Sequence, residues 1–165
     1  MRSRWSAAIP LAVAVAAFLC FLPALSGGFL TYDDQALLTD NAAFLRGAWR
    51  DPRWLLTTAI LNVHQPLAWL SYGIDYALFG LDPFCFHLTS LLLHALNAVV
   101  FYFLALRLFP RVSPDSDRFA AAAAALAFCL HPLRAECVAW VAERRELLSD
   151  LFFLLTLHAY LESAR

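Results

Sequence analysis

The sequence predicts an all-α fold: a polytopic transmembrane helix bundle of about four spans, with interfacial helices in its first and second outer loops. Three observations carry that prediction. Hydrophobic residues make up 62% of the 165 and charged residues only 15%, against about 25% charge in a soluble domain, and mean hydropathy is +0.64. The apolar residues gather into runs over 7–25, 84–109, 119–132 and 147–162, to be counted against a bilayer rather than a soluble core. Inside the longest run, the few polar residues recur every three or four positions, the period of one helix face. The formal charge of -1 offers no basic patch for nucleic acid, and every basic residue is Arg. Cys20, Cys85, Cys129 and Cys137 are scattered without a C-x-x-C pair, which gives neither a metal signature nor a disulfide framework.

The first run follows Arg2 and Arg4. A basic start before an apolar core is also the layout of a signal peptide; the length of this run and the runs after it favour an uncleaved first helix with its N-terminus in the cytoplasm. Directly after it comes Gly27-Gly28-Phe29-Leu30-Thr31-Tyr32-Asp33-Asp34-Gln35. Two adjacent carboxylates at the rim of a membrane repel each other and lose water; both effects raise pKa and equip one of them to accept a proton. Asp is equally a good cap for a short helix starting at Gln35, so capping and catalysis both remain open here.

The outer loop 26–83 mixes Arg46, Arg50, Asp51, Arg53, Asp75 and Asp82 with Trp49, Trp54, Trp69, Tyr72 and Tyr76, aromatics of the kind that sit at headgroup level. Over 65–80, Pro66 suits a helix start, and Leu67, Leu70, Ile74, Ala77 and Leu78 follow at helical spacing. The loop therefore predicts short amphipathic helices lying on the membrane.

The run 84–109 is long enough for a tilted crossing. Its polar residues His87, Ser90, His94 and Asn97 share one face, which turns toward a bundle interior or a wet cavity; hydrogen bonding between helices accounts for them equally well. The run 119–132 is rich in Ala and short, so a re-entrant or buried helix stands beside a full crossing. In the outer loop 131–149, Pro132 opens a predicted interfacial helix on which Glu136, Trp140, Glu143 and Leu147 recur at intervals of three and four. With the N-terminus inside, Arg2, Arg4, Arg107, Arg111, Arg118 and Arg165 are cytoplasmic, against Arg134, Arg144 and Arg145 outside. The acid pair and the 131–149 helix then emerge on one outer face.

Three stretches together resemble a known family. They are Phe29-Leu30-Thr31-Tyr32-Asp33-Asp34; Gln65-Pro66-Leu67-Ala68-Trp69-Leu70-Ser71 with Phe86-His87-Leu88-Thr89-Ser90-Leu91-Leu92-Leu93-His94-Ala95-Leu96-Asn97; and 131–149, beginning His131-Pro132-Leu133-Arg134-Ala135-Glu136 and continuing through Trp140, Glu143-Arg144-Arg145-Glu146 to Ser149. They resemble the membrane part of bacterial tetratricopeptide-repeat glycosyltransferases, related to the transmembrane and tetratricopeptide-repeat O-mannosyltransferases of animals, in the GT-C class. The resemblance implies a GT-C-like N-terminal part in a bacterial inner membrane, its active site on the periplasmic face. It implies a polyprenyl-phosphate sugar as donor, mannose or another hexose, and a hydroxyl of a protein or glycan as acceptor. It also implies Asp33 as the base, with Asp34 beside it.

Inverting transfer needs a carboxylate to take the hydroxyl proton while the anomeric carbon loses its phosphate, and the departing anion needs positive charge. Arg144 and Arg145 are the candidates for that charge, with His131 hydrogen-bonding the phosphate and Glu136 orienting the cluster; headgroup snorkelling is the other reading of the two arginines. A divalent metal is not indicated. Ser90 stands where the family's pattern has Asn, and no repeat of about 34 residues is present, so the chain is expected to be a fragment without its tetratricopeptide repeats. A non-catalytic polytopic protein or truncated scaffold is the alternative. A transporter or metal-binding protein using His87, His94 and His131 is disfavoured, because two turns separate His87 from His94 by about 10 Å of rise.

Overall fold

A computed structural model describes residues 7–109 and 112–164. Their architecture is all-helical: α1 (Ala8–Cys20), α2 (Ala42–Leu45), α3 (Pro52–Thr57), α4 (Pro66–Phe79), α5 (Pro83–Leu108), α6 (Pro114–Cys129), α7 (Arg134–Ala139) and α8 (Arg144–Ser163), with short 3₁₀ and π turns between them. The helix starts follow from local chemistry. Proline opens α3, α4, α5 and α6, where its missing N–H has no intrahelical partner to lose. The Asp82 carboxylate accepts from the Phe84 N–H at 3.1 Å to cap α5. The Ser113 hydroxyl accepts from the Ser116 N–H at 3.2 Å to cap α6, whose first turn adds Asp115 and Asp117 at the positive end of the helix dipole.

Around α5 pack α1, α6 and α8. The α1–α5–α6 seam consists of Ala17, Ala98, Ala105, Ala121, Ala125 and Cys129 with Val13 and Tyr102, so small side chains let three backbones approach closely. Leu91 and Leu147 meet between α5 and α8, beside Val138 of α7. At the α5 N-terminus the first loop folds over as an aromatic lid: Phe44, Trp49, Trp69, Tyr72 and Phe86 pack with Leu37, Leu38, Val141 and Ala142. At the opposite end, Arg107 pairs with Glu162 at 2.7 Å and donates to the His158 carbonyl at 3.3 Å.

Each of the four apolar runs contains one long helix, but the boundaries move. The serine cap starts α6 at Pro114, ahead of position 119, and α8 starts at Arg144, ahead of 147. Among the described residues, α5 is the helix both long and apolar enough to cross a bilayer; α1, with 13 residues, rises about 20 Å. Of the arginines used for orientation, Arg2, Arg4, Arg111 and Arg165 lie outside the described residues.

The predicted interfacial helix over 131–149 is broken. Trp140 is extended (φ -101, ψ 118), and α7, a 3₁₀ turn Val141–Glu143 and α8 replace one continuous rod. The cause lies elsewhere in the chain. The Tyr72 hydroxyl is within 2.9 and 3.1 Å of the carbonyls of Val141 and Ala142, and a carboxylate from the first loop takes the Ala142 N–H. These groups are satisfied from outside, so the helix ladder is given up at this point. On α4, the aliphatic stripe Leu67, Leu70, Ile74 and Leu78 faces outward, while Ala68, Trp69, Tyr72, Gly73 and Asp75 are buried.

Gly73 has no room for a side chain: a Cβ there would lie 2.2 Å from Cδ2 of Trp49. Gly73→Ala is expected to displace the buried indole and cost about 1–3 kcal/mol through overpacking, against about 1 kcal/mol gained in helix propensity. A lower unfolding midpoint with red-shifted tryptophan emission is the expected reading; an unchanged midpoint and spectrum would contradict the contact.

Candidate functional site

The sequence brings its two acids to the aromatic end of the bundle and then treats them differently. The backbone of Gly27 passes close enough to α5 that a Cβ there would sit 3.1 Å from His87 Nε2. Past this close approach, Asp34 is 0% exposed. Its Oδ2 accepts from the Leu30 N–H at 2.9 Å and its Oδ1 from the Ala142 N–H at 2.8 Å. Its carboxylate makes no capping bond to the π turn Gln35–Thr39, so the expected helix cap is instead a clamp between the first loop and the start of α8. Asp33, one position earlier, remains partly exposed.

Burial raises the Asp34 pKa above its ordinary 3.8, outweighing the two backbone donors and the attraction of His87, which lower it. The folded state thus holds this proton more tightly than the unfolded chain does. Asp34's titratable contribution to stability is complete below pH 3.8 and is lost as pH rises through the folded value. Asp34→Ala removes the acceptor of the buried Ala142 N–H and is expected to cost about 2 kcal/mol, read as a shift of the denaturation midpoint in detergent; a shift within error would show that the clamp carries no energy.

Arg144 and Arg145, adjacent in sequence, also part company. Arg144 is fully buried. Its Nη1 pairs with Asp75 Oδ2 at 2.6 Å and donates to Ser71 Oγ at 2.9 Å; Nη2 donates to the Phe86 carbonyl at 2.7 Å and Nε to Ser90 Oγ at 3.2 Å. Its guanidinium carbon lies 4.8 Å from the Tyr72 ring centroid. The residue expected to face a phosphate is therefore a hub joining α4, α5 and α8, with its donors directed inward. Arg145 stays at the surface, 2.6 Å from Glu143 Oε1 and 3.7 Å from Glu146 Oε1. The Glu143 pKa is raised first by burial, then by Glu146, Glu136 and Asp33, against Arg145. The charges of Asp33, Glu136, Glu146 and Arg145 thus all act on Glu143, with Arg145 in direct contact with it.

His131 is exposed, its Nδ1 accepting from the Leu133 N–H at 3.2 Å. His87 packs against the Gly27 backbone. Nε2 of His94 lies 2.9 Å from the Cys129 carbonyl, and Asn97 donates to the Leu147 carbonyl at 2.9 Å. His87, Ser90, His94 and Asn97 are all buried. His87, His94 and His131 sit in three separate surroundings and do not converge. Sequence reasoning named Asp75, Ser71 and Gln65 but gave none of them a role in the site. The available signal was Asp75 itself, a lone charge on an apolar helix that must find a cation once buried.

No family model matches the chain, and no solved structure matches it. Among curated proteins it is 31% identical over 152 residues to mouse protein O-mannosyl-transferase TMTC3, 31% over 171 residues to human protein O-mannosyl-transferase TMTC4 and 32% over 151 residues to mouse protein O-mannosyl-transferase TMTC2. These alignments take in 87%, 94% and 86% of this chain but 16%, 23% and 17% of those proteins, so the chain spans about a fifth of the length of the relatives it matches.

Proposed function

Because the chain is related over most of its length to the TMTC protein O-mannosyl-transferases, we propose that it forms part of a membrane glycosyltransferase of the GT-C kind. It moves a hexose, mannose or another, from a polyprenyl-phosphate carrier to a hydroxyl on a protein or glycan. In this reading α1, α5, α6 and α8 all cross the membrane, with Arg107 and Arg118 on the cytoplasmic side and the acid pair on the periplasmic side. Supporting it are the apolar side chains turned outward, among them Leu19 on α1, Leu92 and Leu96 on α5 and Phe153 on α8; such faces have a solvent only in lipid or another apolar surface.

One observation carries the chemistry: the partly exposed Asp33 stands at the same end as Arg145, fixed there because its neighbour Asp34 bonds directly to Ala142 at 2.8 Å. Asp33 takes the proton of the acceptor hydroxyl as that oxygen bonds to the anomeric carbon, and the carbon–oxygen bond to the phosphate breaks with its electron pair leaving on the phosphate. Arg145 meets that developing negative charge. Arg144 acts one step back, holding the first turn of α8 against α4 and α5, while His131 and Glu136 stand at the rim. The step as written needs no metal ion. The test is transfer of labelled mannose from a polyprenyl-phosphate donor to a hydroxyl-bearing peptide, by membranes carrying the protein with Asp33 intact or replaced by Asn. Loss of transfer supports the assignment, and undiminished transfer rejects it.

A further inference from the structure

A cleft of about 320 Å³ opens between the start of α4 and the first turns of α8. Gln65 lines it, is 6% exposed, and among the described residues has no hydrogen-bond partner for either its amide oxygen or its amide nitrogen. A buried primary amide with two donors and an acceptor left over calls for a partner in the cleft. Gln65 is also the N-cap of α4, a helix of 14 residues with no side-chain cap bond. The N–H groups of the first turn, at Leu67 and Ala68 beside the same cleft, have no intrahelical acceptor.

A helix N-terminus, an amide and an arginine would ordinarily suit an anion, but the charges around this cleft argue otherwise. Arg145 is already held by Glu143 at 2.6 Å, and Glu146, 3.7 Å from the same guanidinium, lines the cleft as well. A phosphate diester, which only accepts, would face the Glu146 carboxylate inside the cleft with nothing to offer it, so the phosphate that Arg145 meets in the transfer step lies at the rim, outside the cleft. A sugar ring both donates and accepts at each hydroxyl. It can donate to Glu146 and to Gln65 Oε1 while accepting from Gln65 Nε2, Arg145 and the α4 amides. Leu148 and Phe152 supply an apolar wall for the ring's C–H face.

We propose that this cleft is a binding site for one neutral, hydroxyl-rich hexose ring. The proposal deepens the transferase reading and rests on it only for where the ring comes from, a donor or an acceptor glycan. It is tested with the whole chain in lipid nanodiscs, by saturation-transfer NMR with methyl α-mannoside as the probe and inorganic phosphate in a parallel arm. Saturable mannoside binding is expected, weakened about tenfold by Gln65→Leu and comparably by Glu146→Ala, and not displaced by phosphate. The Glu146 side chain is 54% exposed, so its loss leaves the fold intact and keeps the comparison valid should Gln65→Leu lower the unfolding midpoint. No saturable binding, equal binding by wild type and the Glu146 variant, or displacement by phosphate would each overturn the proposal. Asp33→Asn separates the two readings. If it keeps mannoside binding and loses transfer, both stand; if transfer survives, only the base assignment falls; if wild type transfers but never binds the mannoside, only the cleft falls.

Discussion

With Asn at position 33, sugar transfer is expected to fall by about 10²–10⁴-fold, while the unfolding midpoint stays where it was. Asn keeps the shape of the side chain and removes its capacity to take a proton. Because Asp33 is partly exposed and carries none of its neighbour's backbone clamps, the fold has little to lose. Position 34 is the built-in control. There, Asn turns an NH₂ toward one of the two backbone N–H groups that the carboxylate accepts from, Leu30 at 2.9 Å or Ala142 at 2.8 Å, so stability drops first and transfer only with it. Initial rates measured beside denaturation midpoints separate the two acids. Full activity in Asp33→Asn, together with an inactive but fully stable Asp34→Asn, would exchange their roles.

Arg144→Ala is expected to destabilise the chain by about 3–5 kcal/mol, and Asp75→Ala by a similar amount, because each leaves the other's charge buried and unpaired. The pair is 2.6 Å apart, with side-chain exposures of 0% and 6%. Removing the guanidinium also takes the donor from acceptors on two helices: Ser71 on α4, and Phe86 and Ser90 on α5. The combined change Arg144→Met with Asp75→Leu is expected to recover most of the loss, since replacing a buried pair by apolar side chains of similar volume is often close to neutral. Chemical denaturation in detergent reads all three variants; a single-variant loss below about 1 kcal/mol would show that the pair does not hold α4 to α8.

The helical class was legible because four apolar runs and a three-to-four periodicity are local signals, and each run does contain a helix. The spacing of His87, Ser90, His94 and Asn97 was legible in the same way. Their partners were not, since the Leu147 carbonyl that Asn97 bonds and the Arg144 that reaches Ser90 lie 50 and 54 residues further on. The break at Trp140 had no local sign either. The residues over 131–149 fit a helical pattern, and only Tyr72 and Asp34, from remote parts of the chain, make the irregular backbone affordable. In the same way, two adjacent acids and two adjacent arginines each read as like pairs in sequence. Burial separates them, Asp34 and Arg144 going inside while Asp33 and Arg145 stay at the rim.

The clamp between Asp34 and the Ala142 N–H joins residues 108 positions apart. During synthesis the first loop, α4 and the N-terminal turns of α5 all emerge before its second anchor exists. The aromatic end can nucleate on its own contacts, but the loop bearing Asp33 reaches its final position only once Ala142 has left the ribosome. Such a distant closure is a late event in the assembly of the chain.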